Sequence, residues 1–129
     1  MPVICVTVSK SICPIVLNRS HMAFLPAVLI TVGIAVLSLT ESTQMPSVSL
    51  NDKLVHGVMY ALLAASWMMP VRRPVWIIAA VTLYGILIEL LQHYCTLTRS
   101  GEWRDVLADF IGALVGVGIV VFIKWLHNK

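Results

Sequence analysis

Residues Met22–Leu39 read MAFLPAVLITVGIAVLSL, eighteen positions without one charged side chain. A run of that length and composition approaches the ~20 residues that cross a ~30 Å hydrocarbon core as a helix. Three further apolar stretches follow, at Leu54–Met69, Val75–Tyr94 and Val106–Leu126. Each is expected to be helical, because backbone N–H and C=O groups find no water partners in lipid. Nothing in the chain alternates as the strands of a membrane barrel do. The 129 residues are 59% hydrophobic and 12% charged, with a mean hydropathy of +0.92. An ordinary soluble domain carries about twice that charge. A soluble fold this small buries only ~60–70% of the surface its unfolded chain exposes. A soluble enzyme, a disordered chain and a nucleic-acid module are thereby excluded. The sequence predicts an all-α bundle of four transmembrane helices.

The punctuation fits that reading. Pro70 and Pro74 bracket a tight hairpin containing Arg72 and Arg73, since proline interrupts a helical ladder. The polar segments Thr40–Asp52 and Thr96–Asp105 make the other connections, and Asn51 or Asp52 serves as N-cap of the second helix. The net charge of +3 is unevenly distributed. Lys10, Arg19, Arg72, Arg73, Lys124 and Lys129 fall on one side of a four-helix serpentine. Lys53, Arg99 and Arg104 fall on the other, offset by Asp52, Glu102 and Asp105. The positive-inside rule then places both termini in the cytoplasm. Trp67, Trp76 and Trp125 would mark the inner interface, with Tyr94 and Trp103 at the outer one.

Residues 1–21 make neither a good helix nor a good span and are set apart from a membrane domain at 22–129. Met22 is an alternative start. The first apolar stretch reads as an uncleaved signal anchor, because no small-x-small pattern follows Leu39. Cys5 and Cys13 are expected on the opposite side of the membrane from Cys95, which argues against a structural disulfide.

The polar groups inside the apolar stretches gather toward one end. Asp52, His56 and Tyr60 recur at i, i+4, i+8 on one face of the second helix. Glu89, Gln92 and His93 share a face of the third, continuous with Gly85, and Asp105 and Asp109 share one on the fourth. At ~1.5 Å rise per residue, Glu89 sits ~22 Å beyond Pro74, hence ~8 Å short of the outer boundary. His56 and Asp109 each lie ~6 Å inward of a boundary residue. A carboxylate in hydrocarbon costs several kcal/mol unless paired, protonated or wetted. Glu89 and Asp109 therefore need partners, and His56, Lys53, Arg99 and Arg104 are available. Gly112 and Gly116 share the face of Asp105 and Asp109 as a G-x-x-x-G pair. That spacing lets helices approach closely, either within the bundle or between subunits of a homo-oligomer.

Three segments carry a family resemblance: DKLVHGVMY (Asp52–Tyr60), GILIELLQ (Gly85–Gln92) and RSGEWRDVLADFIGALVG (Arg99–Gly116). In order and on four helices, they resemble the signature blocks of the VanZ-like family, over about Met22 to Lys124. The resemblance implies a small integral membrane protein of the bacterial cell envelope, and an antibiotic-resistance role against glycopeptides of the teicoplanin type. By position, the family's Asp-Lys-x-x-His falls on Asp52, Lys53 and His56, its Glu-x-x-Gln on Glu89 and Gln92, and its loop Arg and following Asp on Arg99 and Asp105. Four residues after that Asp the family commonly has Asn, where this chain has Asp109.

The expected ligand-binding set is thus Asp52, Lys53, His56, Glu89, Gln92, Arg99, Arg104, Asp105 and Asp109. An outward-facing pocket of these residues would hold the headgroup of an envelope lipid or lipid-linked intermediate, with Arg and Lys on its phosphate or carboxylate. Alternatives are a membrane-embedded hydrolase or transferase acting on an outer-leaflet lipid, with Glu89 and His56 as its acid and base, and a small transporter relaying charge through Glu89 and Asp109. A zinc site of Glu89, His93, His56 and Asp109 is disfavoured without cysteine ligands. No metal, cofactor or nucleic-acid partner is expected.

Overall fold

The computed structural model describes residues 19–40, 50–95 and 103–129, with side chains from 22–40, 53–95 and 103–129. It contains four helices: α1 (Arg19–Leu39), α2 (Leu50–Met68), α3 (Pro74–Cys95) and α4 (Trp103–His127). Their ends agree with those of the four apolar stretches to within four residues, and no strand occurs among the described residues. Three of the four, α1, α3 and α4, are long and apolar enough to cross a membrane. The nineteen-residue α2 is not among them; its first two turns carry Asn51, Asp52, Lys53 and His56.

The chain runs up and down, so α2 and α4 point the same way and pack together more extensively than any other pair. Lys53 meets Asp105 at one end of this pair, and at the other Lys124 donates to the Met68 carbonyl at 3.3 Å. That second contact places a cation where α2 exposes unsatisfied carbonyls and the negative end of its dipole. Between the ends the backbones nearly touch. A Cβ at Gly112 would overlap the Gly57 carbonyl oxygen, and one at Gly116 would overlap that of Ala61. Of the two packing roles open to these glycines in the sequence, the structure shows the one within the bundle. Their partners, Gly57 and Ala61, form a small-x-x-x-small pair on α2 that the sequence reading did not single out.

The core lies where α2 faces α3 and α4: Tyr60, Leu63, Ala64, Val81, Ala113 and Val117 are all buried. α1 is attached through fewer contacts, in which the buried Ala27 and Ile34 and the Phe24–Trp67 ring pair are joined by three hydrogen bonds. Trp67 Nε1 donates to Thr31 Oγ1 at 3.2 Å, the Tyr84 hydroxyl donates to the Thr31 carbonyl at 2.6 Å, and Gln92 Nε2 donates to the Ser38 carbonyl at 2.8 Å. Only 17% of the Met22–Leu39 span is buried in the molecule. Leu29, Val32, Val36 and Leu37 face outward, as lipid-facing side chains do and as those of a soluble monomer rarely do. Trp76, Tyr94, Trp103 and Trp125 are exposed near helix ends. In the hairpin, Arg72 adopts a φ of 53°, a left-handed conformation that a non-glycine residue takes only in a tight turn.

The packing makes a directional prediction. Gly112→Ala and Gly116→Ala each push a methyl into backbone of α2 that cannot rotate away, and each is expected to cost about 1–3 kcal/mol. Gly118→Ala has nothing within 4 Å of the new Cβ and should be neutral or stabilising by up to ~1 kcal/mol. Unfolding midpoints of the purified variants in mixed detergent micelles distinguish the two classes.

Candidate functional site

At one end of the bundle the three best-packed helices each contribute ionisable side chains to a single layer. α2 supplies Lys53 and His56, one turn apart; α3 supplies Glu89; α4 supplies Asp105 and Asp109, again one turn apart. Because α2 and α4 are parallel and in close contact, the two pairs align rung against rung. Lys53 Nζ lies 3.2 Å from Asp105 Oδ1, and His56 Nδ1 lies 3.2 Å from Asp109 Oδ1. Asp105 sits in the first turn of α4, where the positive end of the helix dipole also favours a carboxylate.

The two rungs differ in their contact with solvent. Lys53 is half-buried at the edge, whereas Asp109 is fully enclosed at 0% exposure. Its position depends on α3: a Cβ at Gly85 would lie 2.6 Å from Asp109 Oδ2 and 3.2 Å from Tyr60 Cε1. Only glycine there lets the acid sit against the α3 backbone. The Tyr60 ring lies parallel to that of His56, 6.3 Å away at 6°, and closes the layer from below. The Tyr60 hydroxyl and Asp109 Oδ2 are buried without a hydrogen-bond partner. Such groups are costly in a low-dielectric interior.

Of the nine residues expected from the sequence, five converge: Lys53, His56, Glu89, Asp105 and Asp109. Gln92 is buried on the same end of α3, but its amide is bonded to α1 at Ser38, a positioning contact between helices. Arg104 is exposed, its guanidinium 5.9 Å from the Trp103 ring centroid, and does not fold down onto the layer as anticipated. Arg99 and the side chain of Asp52 lie outside the described residues. His93 is exposed and edge-on to Tyr94, so the Glu89–His93 metal pairing weighed above does not form. A different trio does. One ring nitrogen of His56 and one carboxylate oxygen each of Glu89 and Asp105 all lie within 4.8 Å of one another. A groove of about 440 Å³ lined by Leu63, Trp67, Trp76, Ile77, Val81 and Tyr84 is almost wholly apolar, and it lies toward the opposite end of the bundle.

The VanZ/LLP1 family model matches residues 14–124. The chain belongs to this family. No curated protein and no solved structure matches it. Together with the three apolar spans, membership makes this a membrane protein of the VanZ type. The three segments that carry the resemblance fall on different helices: Asp52–Tyr60 on α2, Gly85–Gln92 on α3, and the described part of the third, Trp103–Gly116, on α4.

The buried rung predicts a contrast between two substitutions. Asp109→Leu leaves the His56 Nδ1 group buried without its partner and should cost about 1–3 kcal/mol. Asp109→Asn keeps an acceptor for the ring while removing a buried charge, and should stay within ~1 kcal/mol of the parent. Denaturation of both variants in micelles, followed by circular dichroism, checks the difference.

Proposed function

We propose that this VanZ-type protein crosses the bacterial cytoplasmic membrane four times, with both termini inside, and presents its polar layer at the outer leaflet to the headgroup of an envelope lipid or lipid-linked intermediate. The observation that carries the reading is the meeting of Lys53, His56, Glu89, Asp105 and Asp109 from three helices. Holding helices together needs far fewer charges, and ionisable groups at membrane depth usually mark a functional site. α2 counts as the fourth span because it lies parallel to α4 along its length, with Lys53 and His56 set against the acids of α4. Occupancy of the layer by a wall-precursor lipid would alter what glycopeptides of the teicoplanin type encounter outside the cell.

A second reading has one observation in its favour. His56 is held through Nδ1 by the buried Asp109, the arrangement that orients an imidazole for proton transfer at Nε2. An enzyme acting on the same lipid would use it as a base next to Glu89.

Two measurements test these readings. Native mass spectrometry of gently extracted protein should retain a specific lipid on the parent and lose it on Glu89→Gln at matched folded yield; identical adducts on both refute the pocket. Turnover of that lipid by the parent alone would select the enzyme reading. For orientation, a chain with Cys5 and Cys13 replaced by alanine should be labelled at the exposed Cys95 by a membrane-impermeant maleimide added to intact cells. Labelling only after lysis would invert the topology.

A further inference from the structure

Among the described residues, acids outnumber cations at the polar end. Glu89, Asp105 and Asp109 gather near Lys53 and the titratable His56. Arg104, which the sequence offered as a further cation, is exposed beside the Trp103 ring. Carboxylate oxygens gathered around an imidazole are a setting that suits a cation.

The geometry points to a divalent metal site formed by His56, Glu89 and Asp105, of the kind that takes Mn²⁺ or Zn²⁺. The three side chains come from three helices, and their ligand atoms lie within 4.8 Å of one another. Ligand atoms on a tetrahedral ion with bonds of ~2.1 Å stand about 3.4 Å apart, so the trio needs to close by up to about 1.4 Å. One imidazole nitrogen with two carboxylate oxygens is a donor set for Mn²⁺ or Zn²⁺. A second observation supports it independently. Asp109 Oδ1 accepts from His56 Nδ1 in the tautomer that leaves the lone pair on Nε2, and a carboxylate behind the ring is the usual support of a metal-bound histidine. Lys53 takes one oxygen of Asp105, and the carboxylate retains a second. Three protein ligands leave coordination positions open to water or to a phosphate oxygen. The inference therefore deepens the lipid reading above: the ion would be the bridge between an acidic layer and an anionic headgroup.

The test uses the full chain in detergent micelles, with any affinity tag removed, no lipid added, and Mn²⁺ alone as the probe. Electron paramagnetic resonance should show one Mn²⁺ withdrawn from solution per chain, and pulsed measurements should show its coupling to an imidazole nitrogen. The coupling should vanish in His56→Gln. Affinity should fall more than about tenfold in Glu89→Gln and in Asp105→Asn, at least the loss that removing an outer-shell partner alone produces. His93→Gln, altered at an exposed histidine, should bind as the parent does. Asp105 lies at the edge, in the first turn of α4, so its variant keeps the test decisive if Glu89→Gln fails to fold. No binding to folded parent protein overturns the site. So does binding that Asp105→Asn leaves unchanged, or nitrogen coupling that survives His56→Gln. Anionic phospholipid added afterwards separates the two readings. A bound ion whose spectrum lipid does not perturb supports the metal site without the headgroup, whereas lipid retention without any bound ion overturns the metal site and leaves the lipid reading standing.

Discussion

The backbone contact between α2 and α4 is the constraint on which the rest depends. Gly57 and Ala61 on one helix meet Gly112 and Gly116 on the other, and the carbonyl oxygens of the first pair occupy the space where the second would carry a Cβ. In lipid, apolar side chains gain little by leaving their surroundings for one another, so helices associate through close packing and polar contacts. This pair has both. The small residues bring the axes together, and the ladder on either side fixes their register, from Lys53–Asp105 at one end to Lys124 and the Met68 carbonyl at the other.

That register also determines the chemistry of the polar end. A shift of one residue between α2 and α4 would rotate His56 away from Asp109 and Lys53 away from Asp105, because neighbouring positions on a helix point about 100° apart. α3 is accommodated afterwards. Gly85 lets it approach the enclosed carboxylate of Asp109, and Glu89, one turn further along, joins the layer. α1 is held by two hydrogen bonds at Thr31, one at Ser38 and the packing of Ile34, and leaves most of its surface to lipid. The bundle is thus a tight three-helix unit with a more loosely attached fourth.

Much of this was legible in the chain. Four apolar runs separated by proline and polar segments gave four helices, since hydropathy and helix breakers act locally and are written in order. Periodicity put the polar residues His56, Glu89, Asp105 and Asp109 on shared faces of their helices, the G-x-x-x-G pair turned the face of Asp105 and Asp109 toward a neighbouring helix, and the need of buried acids for partners left His56, Lys53, Arg99 and Arg104 as the choices. What periodicity does not encode is which helix lies beside which. The G-x-x-x-G of α4 was recognisable, but its partner face on α2 was not, because Gly57 and Ala61 are two small residues among many until a neighbour selects them. The side chain of Arg104 was misjudged for a related reason: a long cation in a first helical turn can reach inward or outward, and its contact with Trp103 decides the matter. The trio of His56, Glu89 and Asp105 has one member on each helix, so no spacing within a single segment announces it.

The parallel pairing of α2 with α4 has a consequence for biosynthesis. His56 and Asp109 are separated by 53 positions in the chain, and α3 with two connections intervenes. A ribosome delivering this protein to the membrane produces the polar first turns of α2 well before the acids that neutralise them exist. During that interval Lys53 and His56 have no counterpart on α4, and α2 is the helix whose composition least favours staying in lipid unaided. On the four-span reading proposed above, its passage into the bilayer would be completed by the arrival of α4, which would make insertion and folding of this small protein one event and not two successive ones.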